Sequence, residues 1–186
     1  IFTGDNGTDT PIVTPWNGKK VVGGKGTMSD TGTRVPLIVN WPAGIRKAGR
    51  VVDDLVEFTD MFPTICEVTG AKLPKNHPAD GASIVPVLRN QADARKKDWI
   101  YIWYRKQVMV RNKQYSFLAN QDGSKAALTR YDSPFNGRKL KDSALTNTER
   151  ILKKQFEATI ARLAKARLST ASEEGRIQGL KNKTNR

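Results

Sequence analysis

Asp5 and Asn6, one charged and one neutral oxygen donor side by side, are the first residues of this chain that could do chemistry. Ca²⁺ and Mg²⁺ take oxygen ligands of this kind. Asp5-Asn6-Gly7 is equally a turn signal, because Asp and Asn side chains bond to nearby backbone and glycine accepts the dihedrals a turn demands. Lys25, between Gly24 and Gly26, is the second candidate: a point charge on a backbone that can approach a ligand closely, or a solvated loop charge. Gly23-Gly24-Lys25-Gly26 lacks the spacing and the hydroxyl residue of a phosphate loop, which excludes that kind of nucleotide site. Ile1-Phe2-Thr3 reads as the end of a strand, and open α/β sheets gather ligands outside the carboxyl ends of their strands.

The elements that must position these groups follow from pattern. The apolar run over 35–41, bounded by Pro36 and Pro42, predicts a strand covered on both faces. Arg34, just ahead of it, is expected to pair with Asp30 and brace the loop. Residues 8–24, with Pro11, Pro15, Trp16 and Gly18, show no regular period and read as a polar loop over the site opening. Trp16 there either stacks on a sugar ring or pins the loop.

Phe58, Phe62, Ile65, Cys66 and Val68 recur near the helical period within 53–70, with Thr59 or Asp60 as cap and Gly70 as stop. His77, the only histidine, falls in a loop over 71–81 and reads as a loop residue. A short helix over 83–89 and a charged linker over 90–98 come next. The period then switches to alternation over 99–104, 108–111 and 114–118, with turns at Asn112-Lys113 and Asp122-Gly123, which predicts an antiparallel sheet of three or four strands. Residues 129–143 read as irregular. Thr146 and Glu149 form a capping box for a helix whose stripe Leu152, Phe156, Ile160 and Leu163 packs on the sheet.

Several motifs in one order carry a resemblance: Phe2-Thr3-Gly4-Asp5-Asn6-Gly7, Gly24-Lys25-Gly26-Thr27, Gly32-Thr33-Arg34-Val35-Pro36, Trp41-Pro42, Phe58-Thr59-Asp60-Met61-Phe62-Pro63-Thr64 and Asp80-Gly81-Ala82-Ser83. Together they resemble the C-terminal half of the sulfatase family, within the alkaline-phosphatase-like superfamily. The resemblance implies an α/β fold: residues 1–98 as the C-terminal portion of the catalytic α/β domain, and 99–168 as a small antiparallel β-sheet subdomain packed by a C-terminal helix. Residues 169–186 read as a basic, disordered tail. The stretch equivalent to 129–143 carries a final strand in the family.

By position, Asp5 and Asn6 become ligands of a Ca²⁺, and Lys25 becomes the catalytic, substrate-binding contact to the sulfate group. The family nucleophile is a formylglycine made from the cysteine of a Cys-x-Pro/Ala-x-Arg motif. Cys66 is followed by Glu67-Val68-Thr69-Gly70 and sits in a helical pattern, so it reads as a core residue. The nucleophile is therefore expected in an N-terminal part that this chain lacks, and the chain reads as a fragment, inactive alone. Where the family shows Glu-Gly-Gly, this chain has Asp30-Thr31-Gly32. Expected substrates are sulfated small molecules or sulfated carbohydrates. Intact family members are commonly periplasmic or secreted; nothing in these residues assigns a location.

With 186 residues and 38% hydrophobic content the chain is long enough for a real core. No stretch approaches the roughly 20 apolar residues of a membrane span. One cysteine excludes an internal disulfide. The formal net charge is +14, and residues 138–186 hold 13 Lys and Arg against 5 Asp and Glu. Such a surface attracts anions, or is simply a solvated face. No zinc-finger, helix-turn-helix or RNA-sheet motif accompanies it, so no specific nucleic-acid partner is expected. Two other readings stay open at this level: a phosphoester or phosphonate hydrolase of the same superfamily, and a non-catalytic basic module that binds polyanions.

Overall fold

Alternating apolar residues after position 99 build the largest element of the protein. A computed structural model describes residues 1–75, 81–91 and 97–164. Five antiparallel strands follow one another in space as in sequence: β5 (Ile100–Tyr104), β6 (Gln107–Arg111), β7 (Tyr115–Asn120), β8 (Ala127–Ser133) and β9 (Asn136–Lys139). The expectation of three or four strands is too low. The irregular reading of 129–143 also fails, because β8 and β9 cover that stretch. Their polar residues hide the pattern, and the register shifts between Tyr131 and Ser133. Asn112 makes the expected turn by accepting the Gln114 and Tyr115 amides on Oδ1 at 2.9 and 2.7 Å.

On one face of this sheet Val110, Phe117, Ala119 and Leu128 form a core with Leu145 and Phe156, flanked by Leu152 and Ile160. Phe156, Leu152 and Ile160 lie in helix α4, described over 147–164, and Leu145 just ahead of it. Its capping box is present: Thr146 Oγ1 accepts the Glu149 amide at 3.2 Å, and Glu149 Oε2 accepts the Thr146 amide at 2.8 Å. The apolar stripe of α4 meets the sheet as its spacing predicts. β6 is buried on both faces: the alternate residues Met109 and Arg111 turn away from α4 and are 2% and 7% exposed.

The first half of the chain is built of shorter pieces. β1 (Phe2–Thr3) pairs antiparallel with β4 (Leu37–Ile38). Within this chain Phe2 and Ile38 stay open to solvent, at 64% and 59% exposure, so the strand over 35–41 is shorter and less covered than expected. The physical reason is that no other strand among the described residues flanks this pair.

Residues 8–24 are not the expected loop. They form a hairpin of β2 (Val13–Trp16) and β3 (Lys19–Val22), closed at Asn17-Gly18 with φ of 45° and 74°. Two residues with positive φ match the twist of a tight hairpin, and Asn-Gly is the pair that adopts them most readily. Pro15 is tolerated because the ribbon has only two strands, leaving each with a free edge.

A short 3₁₀ turn (Phe58–Asp60) leads into α2 (Met61–Thr69), which stops at Gly70. Asp60 stands at the N-cap position of α2, but its side chain makes no capping bond there. Its carboxylate is fully buried and accepts the amides of Glu57 at 2.9 Å and Ala82 at 2.8 Å, tying the loop before α3 (Val85–Leu88) to the helix entrance. Thr64 Oγ1 accepts the Ile84 amide at 3.0 Å and completes the tie. Cys66 is buried in α2, as its pattern implies. The expectations for His77 and for the tail over 169–186 lie outside the described residues. Among the described residues no helix is long and apolar enough to cross a membrane.

Three acidic residues fasten the first half to the sheet. Glu57 pairs with Lys97 and accepts the Tyr101 amide at 2.8 Å; Asp54 pairs with Lys113 at 2.8 Å; Asp30 pairs with Arg111.

Candidate functional site

The Asp5-Asn6-Gly7 turn and the lysine loop meet through backbone. The Gly24 and Lys25 amides both donate to the Thr8 carbonyl at 3.0 Å. The Gly7 amide donates to the Gly32 carbonyl at 3.0 Å, in the short helix α1 (Asp30–Thr33). These two links put the predicted oxygen donors and the predicted cation on one corner of the fold.

Glycine makes the corner possible. A Cβ on Gly7 would lie 1.9 Å from the Thr31 carbonyl oxygen. One on Gly32 would lie 2.3 Å from the Thr27 carbonyl oxygen and 2.4 Å from that of Gly24. Three segments of backbone therefore pack where side chains are excluded, and the close approach fixes the lysine loop against α1.

Hydroxyls add a second bond to the same junction. Thr27 Oγ1 donates to the Gly24 carbonyl at 2.7 Å and lies 2.7 Å from Ser29 Oγ, which in turn lies 3.0 Å from Thr31 Oγ1. Lys25 itself is solvent-exposed, as is Asp5, while Asn6 is half-buried. Among the described residues neither the Asp5 carboxylate nor the Lys25 amine forms an ion pair. Both can take an external ligand.

The donor set suits a hard cation only in part. Asp5 and Asn6 bring a carboxylate and an amide oxygen, while Ca²⁺ takes six to eight oxygens. Among the described residues no group of three or more His, Cys, Asp or Glu is arranged to hold a metal. The two residues fit as contributors to a site whose other ligands come from elsewhere.

Asp30 has a partner that sequence reasoning did not find. The expected Arg34 contact is absent; the Arg34 guanidinium carbon instead lies 5.7 Å from the centre of the Phe135 ring. Asp30 Oδ1 accepts from Arg111 of β6, and Oδ2 accepts the Phe135 amide at 3.2 Å. The pair is 5% and 7% exposed. A partner 81 positions away leaves no local signal, whereas Arg34 only looked suitable because it was near. Trp16 also has a neighbour: its ring meets Phe135 edge-on at 5.6 Å, which favours the pinning role over a free stacking platform.

Comparison with known proteins gives the family to which the chain is similar. The family model described as N-sulphoglucosamine sulphohydrolase, C-terminal, matches residues 20–161, a span that includes Lys25 and leaves out Asp5 and Asn6. The chain is 34% identical over 106 residues to steryl-sulfatase of Mus musculus, covering 54% of this chain and 17% of that protein. It is 36% identical over 121 residues to a sulfatase of Formosa agariphila, covering 63% of this chain and 21% of that protein. An ulvan-active sulfatase of the same organism is 32% identical over 109 residues, 53% of this chain and 21% of its own length. The solved structure of a 2-O GAG sulfatase superposes with a TM-score of 0.55 at 23% identity, covering 86% of this chain and 34% of the other. That likeness shows the fold, the alkaline-phosphatase-like fold of sulfatases. The chain thus spans about a fifth of the length of these curated relatives and a third of that solved chain.

Proposed function

The chain belongs to the N-sulphoglucosamine sulphohydrolase C-terminal family of sulfatases, and from that membership we propose that it is the C-terminal portion of a sulfuric ester hydrolase. In this reading Asp5 and Asn6 supply two oxygens to a Ca²⁺, and Lys25 contacts the sulfate. The observation that carries it is the pair of amides, Gly24 and Lys25, bonded to the Thr8 carbonyl three residues after Asp5.

A bound Ca²⁺ would supply positive charge beside the sulfate oxygens. Lys25 would add a second positive charge beside the sulfate oxygens, where negative charge builds as sulfur is attacked and the alcohol oxygen departs. The glycine junction holds the backbone that carries this lysine against the neighbouring loop and α1. The nucleophile belongs to another part of the polypeptide, since Cys66 is buried in α2 and lacks the modification motif. Removing a covalent nucleophile removes its pathway, so this chain alone is expected to be inactive. The exposed apolar residues Phe2, Ile38, Phe62 and Ile65 support a covering portion of the same protein. The substrate class that follows is a sulfated small molecule or sulfated carbohydrate, in keeping with relatives named for a steryl sulfate and for ulvan.

The test uses the protein that carries this chain together with its nucleophile-bearing portion. Lys25→Ala should lower kcat/KM on an aryl sulfate by about 10²-fold, the usual loss for one charge-stabilising group. Unchanged turnover would reject the role given to Lys25.

A further inference from the structure

We infer that Arg111, on the far sheet, is the positioning residue that sets where Lys25 sits. This rests on the reading that Lys25 contacts the sulfate.

Arg111 is held on two sides, by an aromatic ring and by a carboxylate, while its buried Nε has no hydrogen-bond partner among the described residues. Its guanidinium carbon lies 4.1 Å from the centre of the Tyr131 ring, and the Tyr131 hydroxyl lies 3.3 Å from Ser116 Oγ, the cross-strand partner of Arg111. From this frame Arg111 pairs with Asp30, whose other oxygen takes the Phe135 amide. Both oxygens of a buried carboxylate are thus satisfied from the sheet side, which fixes the first residue of α1 in place.

Asp30 stands between Ser29 and Thr31, and those two begin the hydroxyl chain that runs through Thr27 to the carbonyl of Gly24, the residue before Lys25. α1 also presses on Gly24 without room for a Cβ: the nearest atom to that position is Thr31 Oγ1 at 2.1 Å. A movement of Asp30 therefore moves the backbone that carries Lys25. Arginine suits the task because its plane stacks on Tyr131 while its edge binds the carboxylate, and lysine reproduces only the charge.

The experiment is a double-mutant cycle in the same nucleophile-containing protein, read as kcat and KM on an aryl sulfate. Arg111→Gln should lower kcat by at least about tenfold, since a displacement of about 1 Å at a catalytic group costs up to about 10²-fold. Arg111→Lys should recover part of that loss. The decisive readout is the combination: Lys25→Ala with Arg111→Gln should turn over within about twofold of Lys25→Ala alone, because nothing is left for Arg111 to position. Losses that multiply would overturn the inference, as would an Arg111→Gln protein at full kcat. If Arg111→Gln does not fold, Asp30→Asn takes its place in the same cycle with the same expectations, and Arg111→Lys runs beside it with a smaller loss that likewise vanishes in the Lys25→Ala background. A Lys25→Ala protein at full turnover rejects the reading of Lys25 and this inference with it. A Lys25→Ala protein that is slow, with multiplicative losses, rejects this inference alone.

Discussion

Gly32→Ala is the smallest change that should disturb the candidate site without touching any charged group. The added methyl would sit 2.3 Å from the Thr27 carbonyl oxygen and 2.4 Å from the Gly24 carbonyl oxygen. Ordinary contact begins about 3.4 Å away, so both carbonyls must retreat by about 1 Å. They bracket Lys25, and the retreat carries its backbone outward. Overpacking of this kind costs about 1–3 kcal/mol of stability. Alanine's better helix propensity returns up to about 1 kcal/mol in α1. The larger effect falls on turnover, where a displacement near 1 Å at a positioned group costs about 10²-fold. The assay is kcat/KM on an aryl sulfate beside a denaturant melt of the same protein. Turnover within about twofold of the parent, in a folded protein, would refute the claim that this junction places the lysine.

Two further perturbations test the sheet and its helix. Phe156→Ala removes a ring buried to 5% exposure between α4 and the sheet, and should destabilise by about 3–5 kcal/mol in a urea titration. A loss below about 1 kcal/mol would mean that the helix does not form this core. Glu149 accepts hydrogen bonds first from the Thr146 amide and then from the Thr146 hydroxyl, which hold its carboxyl below its ordinary 4.5. A lowered folded pKa gives stability that is present above about pH 4.5 and is lost as pH falls through the folded value. Glu149→Gln should therefore flatten the acid side of a Tm-against-pH curve and leave its slope near neutrality unchanged; an identical acid limb in both proteins would contradict the capping box.

Legibility followed the range of the forces involved. The strands β5–β7 and the stripe of α4 can be read because burial on one face imposes a period of two or of about 3.6 on the residues themselves. The capping box is legible for the same local reason, with partners three residues apart. The hairpin β2–β3 has its signal in Trp16-Asn17-Gly18-Lys19, since Asn-Gly marks a tight turn. Prolines at 11 and 15 obscure that signal when loop composition is weighed ahead of turn chemistry. Strands β8 and β9 escape because most of their side chains face water, so no apolar alternation marks them. At the site, Asp5, Asn6 and Lys25 stand out by residue type and order, and the Thr8 and Gly32 bonds bring their segments together. The Asp30–Arg111 pair could not be found from pattern: a buried ion pair depends on which surfaces meet, and adjacent Arg34 offers the same chemistry on paper.

The most direct test of the central claim is a crystal structure of the nucleophile-containing protein with Ca²⁺ and a non-hydrolysable sulfate ester. The account predicts oxygens of Asp5 and Asn6 at about 2.3–2.6 Å from the ion, with the Lys25 amine within hydrogen-bond distance of a sulfate oxygen. An ion bound away from Asp5 and Asn6, or a sulfate that Lys25 does not reach, would contradict it.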